Sequence, residues 1–219
     1  MKVGIIAPTN FLERYCITNI QYVLPRLLVE ESRYRSFYTE KKKQGDTVIL
    51  DCRVPDWRRE PEDFNLVRRA LELISPDIIV APSHMFNAEL SKETHENFLN
   101  ALPEHRSKVI RCIEGTSEKD LKFGREAFQA IPSHMFRFLE ALPTKALYLE
   151  NHLNPRELEG REGILVTSLP VKLGLQGRLL SDFKPSPKSL TFHEEEDMYP
   201  KITLRNVEEI IEFYKEEET

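Results

Sequence analysis

The chain has 219 residues, 40% of them hydrophobic, which is enough to bury one full core and meets the roughly 200 residues that a single α/β barrel requires, so one domain over residues 1–219 is expected. Charged residues make up 31% and the formal net charge is -5, which excludes the global basic excess of a dedicated nucleic-acid binder and leaves only local basic patches open. Cys16, Cys52 and Cys112 are odd in number, widely spaced and without a C-x-x-C pair, arguing against a disulfide framework or a cysteine-rich zinc site and for a reduced cytosol. No apolar run approaches the roughly 20 residues of a membrane span, and the N-terminal run is too short for a signal segment; a soluble, cytoplasmic, unprocessed protein without a membrane partner is expected.

In chain order, Val3–Ala7 reads as a first strand, followed by the loop signal Pro8-Thr9-Asn10. Ile20, Val23, Leu24, Leu27 and Leu28 recur at helical spacing, with a break expected near Pro25. Residues 30–44 predict a charged helix stopped by Gly45; its Lys41-Lys42-Lys43 run is read as a solvated face, with phosphate contact as the minor alternative. Asp46–Asp51 is a continuous apolar strand with Asp51 at its C-terminal end. A polar loop around Trp57 leads to the amphipathic stripe Val67, Ala70, Leu71, Ile74, and then to the strand 76–84, which ends in Ser83 and His84. A helix over 92–102, a strand over 108–114 ending in Glu114-Gly115 and a helix opening at Thr116 or Ser117 follow. A weak strand at 128–131, a short helix through Met135, Phe138, Leu139 and Leu142, and a strand at 145–149 come next, with a helix start at Asn154-Pro155. The strand ending at Ser168 runs into a Pro- and Gly-punctuated loop, and loops at 185–188 and 193–197 precede a packed C-terminal helix carrying Val207, Ile210, Ile211 and Tyr214.

Strands alternating with helices imply parallel pairing and right-handed crossovers, and a (β/α)8 TIM barrel fits best. An open doubly wound sheet ranks second, because neither a G-x-G-x-x-G nor a phosphate-loop motif follows a strand. The eighth strand is supplied by Ile20–Leu24 or by Leu190–Phe192.

In a barrel, polar residues at strand C-termini converge on one mouth. Here they are Asp51, Ser83, His84, Glu114, Glu150, Asn151, His152, Thr167 and Ser168. Two carboxylates beside a half-apolar pocket can divide general-acid and general-base work, which makes Asp51 and Glu114 the candidate catalytic residues. Both also read as loop caps; Gly115 beside Glu114 favours function by permitting close approach. His84 and His152 can join a carboxylate as metal ligands, yet without H-x-H or H-x-x-x-H spacing they read as ordinary loop histidines, and neither metal nor cofactor is expected. Cys52 and Cys112 are nucleophiles only if a histidine meets them in space. Lys172 can bind phosphate or form a Schiff base, although a loop lysine is usually solvated.

The stretch Thr167-Ser168-Leu169-Pro170-Val171-Lys172-Leu173-Gly174-Leu175-Gln176-Gly177 resembles the segment after the nucleophile in guanine transglycosylases, TIM barrels that exchange guanine in nucleic acid for a 7-deazaguanine. The likeness is nearest to the short phage and genomic-island branch that acts on DNA, and it spans nearly the whole chain. Thr47–Asp51 is similar to that family's strand ending in a catalytic aspartate, and Pro76–Ser83 to its base-recognition strand. Cys112-Ile113-Glu114-Gly115 is similar to its V-Q-G strand, and Tyr148–Leu158 to its H-L-L-G segment ahead of N-P-x-E-L.

The departures fall at the mouth. Val166 stands where the resemblance implies a nucleophilic aspartate, Ser83 where it implies a base-recognising aspartate, Glu114 for a glutamine and Asn151 for a glycine; the Gly-rich turn after Asp51 is Cys52-Arg53-Val54, and the zinc-binding cysteines of the tRNA branch are absent. A valine cannot attack an anomeric carbon, so guanine exchange is not expected. Three expectations follow: a catalytically silent paralogue that binds DNA, tRNA or a partner; a natural enzyme with different chemistry; or a barrel whose residues were replaced to install a new reaction. The two enzyme readings place a small-molecule ligand in a pocket of Asp51, Ser83, His84, Glu114, Asn151, His152, Val166 and Lys172, with Glu114 or Asp51 as general base.

Overall fold

The computed structural model describes residues 1–53, 64–123, 128–150, 155–184 and 196–216. Its strands are β1 (Lys2–Ile5), β2 (Ile20–Val23), β3 (Thr47–Asp51), β4 (Ile78–Val80), β5 (Val109–Ile110), β6 (Ala130–Pro132), β7 (Lys145–Glu150) and β8 (Glu162–Thr167). All pair in parallel in the order β5-β4-β3-β2-β1-β8-β7-β6. A parallel bridge between Cys112 and Ala130, with Ile113 N–H donating to Ala130 O at 2.8 Å and Ala130 N–H to Arg111 O at 2.9 Å, joins the two edges. The sheet is thus a barrel of the TIM type, and the two outermost of the described strands meet instead of remaining open edges.

Both faces of the strands are apolar, which explains their near-continuous hydrophobic runs. Ile20, Tyr22, Ile49, Val80, Cys112, Ala130, Leu147, Leu149 and Val166 fill the interior. Their alternate neighbours, among them Val3, Ile5, Val48, Leu50, Ile79, Tyr148 and Leu165, pack outward under the helices. Those helices are α1 (Leu12–Tyr15), α2 (Pro25–Glu30), α3 (Ser32–Lys43), α4 (Phe64–Ile74), α5 (Ala88–Ala101), α6 (Leu169–Leu175) and α7 (Pro200–Glu216), with 3-10 turns at Glu118–Phe123, Ser133–Ala141 and Pro155–Leu158 among the connections. Gly45, at φ +91°, ends α3 as expected. Gly174 lets α6 and α7 touch: a Cβ there would lie 2.3 Å from Thr203 Cα. No described helix is long and apolar enough to cross a membrane.

Three expectations are corrected. Ile20–Leu28 is not a broken helix but β2 followed by α2, with Pro25 in the first turn of α2, where its missing N–H costs nothing. A buried strand running into a buried helical face happens to reproduce the i, i+3, i+4 spacing. This segment supplies the strand that the sequence left undecided, while 190–192 lie outside the described residues. The segment after β8 is not a loop: Pro170 opens α6, and every residue of that helix is buried. The helices expected after Thr116 and through Met135–Leu142 are 3-10 turns, the second interrupted by the non-helical Phe138 (φ -116°, ψ 23°).

Candidate active site

Strand C-termini bring two polar clusters to the barrel mouth. The first is built on β2 and β3. Tyr22 projects inward from β2, and its phenol hydroxyl donates to Asp51 Oδ2 at the end of β3. Arg53, two residues on, donates from Nε to Oδ1 at 3.0 Å and from Nη2 to Oδ2 at 3.0 Å, and Nη2 also donates to the Tyr22 oxygen at 3.0 Å. The Arg53 backbone N–H adds a bond to Oδ1 at 3.0 Å. Both carboxylate oxygens are therefore occupied, and the side chains of Asp51 and Arg53 are only 7% and 17% exposed. Burial alone would lower the Arg53 guanidinium, but the Asp51 carboxylate and then the Tyr22 phenol raise it well above its ordinary value. Burial likewise pushes the Tyr22 phenol up, with Arg53 opposing and Asp51 reinforcing. A fork-on-carboxylate pair of this kind is a fixed ion pair rather than a proton carrier.

The second cluster is built on β4, β5 and the turn after β6. Glu114 Oε1 accepts from Ser83 Oγ at 2.9 Å and from Cys112 Sγ at 3.6 Å. Its Oε2 lies 2.8 Å from Nε2 of His134. Glu114 and Ser83 are buried, and the His134 side chain is 18% exposed, so the pair reaches solvent through the imidazole. The ring of Phe86 packs edge-on against His134 with centroids 4.9 Å apart. An ionised carboxylate buried without partners costs several kcal/mol, and these three donors offset it.

Cys112 donates to Glu114 and shares the apolar interior with Tyr22. Burial pushes its thiol up, Glu114 and more weakly Asp51 push the same way, and Arg53 opposes them. A buried thiol held protonated is not a nucleophile, and all three cysteines are buried and outside any disulfide. Counting one charge each on Asp51, Glu114 and Arg53, the two clusters carry a net of about one negative charge among the described residues when His134 is neutral.

Of the strand-end residues, Ser83 and Glu114 meet directly, whereas Asp51 pairs with Tyr22 and Arg53 in the other cluster. His84 lies on the same connection as Ser83, but its Nε2 is 3.0 Å from Thr94 Oγ1 and its backbone N–H donates to Ser91 Oγ at 2.8 Å, tying it to α5. Val166 is fully buried in the apolar interior. Thr167 Oγ1 accepts from Leu169 N–H at 3.1 Å, whereas the buried Ser168 hydroxyl has no partner among the described residues. Lys172 lies on α6 and is buried, not solvated on a loop, because the whole of that helix is covered. Lys41, Lys42 and Lys43 face Asp46, Asp77 and Glu40, at 3.8, 2.6 and 4.0 Å. Asn151 and His152, and the side chain of Glu150, lie outside the described residues. Among the described residues, no three His, Cys, Asp or Glu side chains gather as a metal ion requires.

Three mouth residues escape the sequence argument: Tyr22, Arg53 and His134. Alternation along β2 places Tyr22 inward once Ile20–Val23 is taken as a strand. His134 follows the short, weak β6 and carries no spacing motif.

No family model matches the sequence, and no curated protein does.

Proposed function

We propose that this chain is an acid–base enzyme on a transglycosylase-like barrel, in which Glu114, paired with His134, takes and returns a proton of a small-molecule ligand held at the mouth. The observation that carries this reading is the Glu114 carboxylate, buried yet linked by a 2.8 Å hydrogen bond to an imidazole that reaches solvent. A proton arriving at the carboxylate thereby has a route out, as general-base turnover requires. Asp51 supports the reading by exclusion, since its oxygens are taken by Arg53 and Tyr22. Its role is that of counter-ion.

Base exchange through a covalent aspartyl intermediate is not part of this proposal. Val166 offers no nucleophile, and the surrounding Leu147 and Leu149 keep that depth of the barrel apolar. The test uses a generic proton-abstraction probe, 5-nitrobenzisoxazole, whose ring opens to a cyanophenolate when a base removes the C3 proton and the N–O bond breaks. Saturable turnover with a pH-dependent rate, lowered about 10²-fold or more by Glu114→Gln and by less than about 10-fold by Asp51→Asn, is expected. Turnover that survives Glu114→Gln, or incorporation of labelled guanine into DNA or tRNA by the unaltered protein, would defeat the proposal.

A further inference from the structure

Arg53 holds donors that its own cluster does not use. Nε and Nη2 are taken by Asp51 and Tyr22, whereas the two N–H groups of Nη1 have no partner among the described residues. A guanidinium is planar, so fixing two of its nitrogens fixes the direction of the third. The bonds to Asp51 and Tyr22 therefore aim Nη1 before any ligand arrives. Cys112, whose thiol donates to Glu114 Oε1 at 3.6 Å, packs in the same interior cluster as Tyr22, whose hydroxyl accepts from Arg53 Nη2 at 3.0 Å, so the two polar groups adjoin one apolar layer of the barrel.

Charge decides what the free donors suit. Among the described residues of the two clusters, Asp51 neutralises Arg53 and Glu114 adds about one negative charge, so these groups disfavour an anionic ligand and not a neutral acceptor oxygen. Once a proton moves from ligand to Glu114, the carboxylate becomes neutral and the negative charge passes to the ligand. Preorganised N–H donors at the atom where that charge develops are the strongest single aid a site can offer.

We infer that Arg53 Nη1 binds a carbonyl oxygen and that the substrate is a neutral carbonyl compound with a proton on the adjacent carbon. This inference rests on the acid–base reading above. In the step assigned here, the Cα–H bond breaks and its proton goes to Glu114. The C–H electron pair forms a Cα=C bond, and the carbonyl π pair moves to oxygen, giving an enolate hydrogen-bonded by Nη1. Return of the proton from Glu114 to carbon, with His134 open to exchange with solvent, completes the cycle without oxidant, reductant or co-reactant. Arg53 touches the reacting oxygen and is catalytic in this scheme; Asp51 and Tyr22 are positioning residues.

The experiment measures α-deuterium incorporation into phenylacetone in D2O by NMR, beside benzisoxazole turnover and the His134 ring resonances. The unaltered protein is expected to accelerate exchange saturably, and Arg53→Lys, which retains the charge but loses the fork, to lower the rate about 10²-fold with the His134 resonances unmoved. If Arg53→Lys does not fold, Asp51→Asn, which releases the guanidinium from its fixed orientation, is expected to lower exchange about 10-fold or more. Exchange untouched by these substitutions, or lost only together with a shift of the His134 signals and a fall in Tm, overturns the inference. Benzisoxazole turnover without ketone exchange in the unaltered protein also overturns it and leaves the acid–base reading standing; absence of both removes that reading too.

Discussion

Nε2 of His134 lies 2.8 Å from Oε2 of Glu114 across a separation of twenty residues, and the other oxygen of the same carboxylate takes the Ser83 hydroxyl. The bond exists because the Cys112–Ala130 bridge closes the barrel and sets the end of β5 beside the start of the Ser133–Ala141 turn. His134→Ala removes one donor from a buried carboxylate. We expect a loss of about 1–3 kcal/mol in urea unfolding, the cost of a buried acceptor short of one partner. Probe turnover should fall with it; an unchanged unfolding midpoint would mean that the carboxylate does not depend on this histidine.

The Asp51–Arg53 pair behaves differently, because the carboxylate is buried and the largely covered guanidinium is its compensation. Arg53→Met leaves an uncompensated carboxylate and should cost about 3–5 kcal/mol. The double variant Asp51→Asn/Arg53→Met should recover a large part of that loss. The non-additivity of the double-mutant cycle is the measurement, and strictly additive effects would show that the pair is not coupled.

Phe86 sits at φ +64° and is 47% exposed, an unfavourable backbone for a large residue that gains little from burial. It belongs to the turn between Ser83 and Asn87, whose side chain caps α5 by accepting from Leu90 N–H at 3.0 Å. Its ring rests against His134. Left-handed backbone costs a residue with a Cβ about 1 kcal/mol or more, and such strain gathers beside functional sites. Phe86→Gly is therefore expected to raise Tm by about 2–4 °C while lowering probe turnover. A fall in Tm would show that the ring holds the turn together.

Alkaline pH should weaken the fold through groups outside the mouth. Burial pushes the Cys16 thiol up to about 12, partly opposed by its contact with Tyr38, and its Sγ donates to Ile5 O at 3.1 Å. Burial raises Tyr38 and Tyr34 in the same direction. The folded values exceed the unfolded ones, so the unfolded chain releases protons first. Stability is fully present below about pH 9 and falls as pH rises from there toward 12, by at most about 1.4 kcal/mol per pH unit for the thiol. Urea midpoints at pH 8 and pH 10 should differ accordingly, and Cys16→Ala should flatten the slope between them.

The sequence by itself determined the barrel and three of the polar residues at its strand ends. Continuous apolar runs such as Thr47–Asp51 can be satisfied only when both faces of a strand are covered, and parallel strands deliver their C-terminal residues to one end. Asp51, Ser83 and Glu114 were legible for that reason. What they do was not legible, because periodicity describes one element at a time. Whether Asp51 is a base or a counter-ion depends on Tyr22, on a strand whose spacing imitates a helix, and on the direction taken by Arg53. Whether Glu114 has an outlet for a proton depends on His134, which no motif marks. Strand pairing brings side chains of β2 to β3 and of β4 to β5, and closure through the Cys112–Ala130 bridge adds the turn after β6, within hydrogen-bond distance, where a buried charge must find its donors or be expelled.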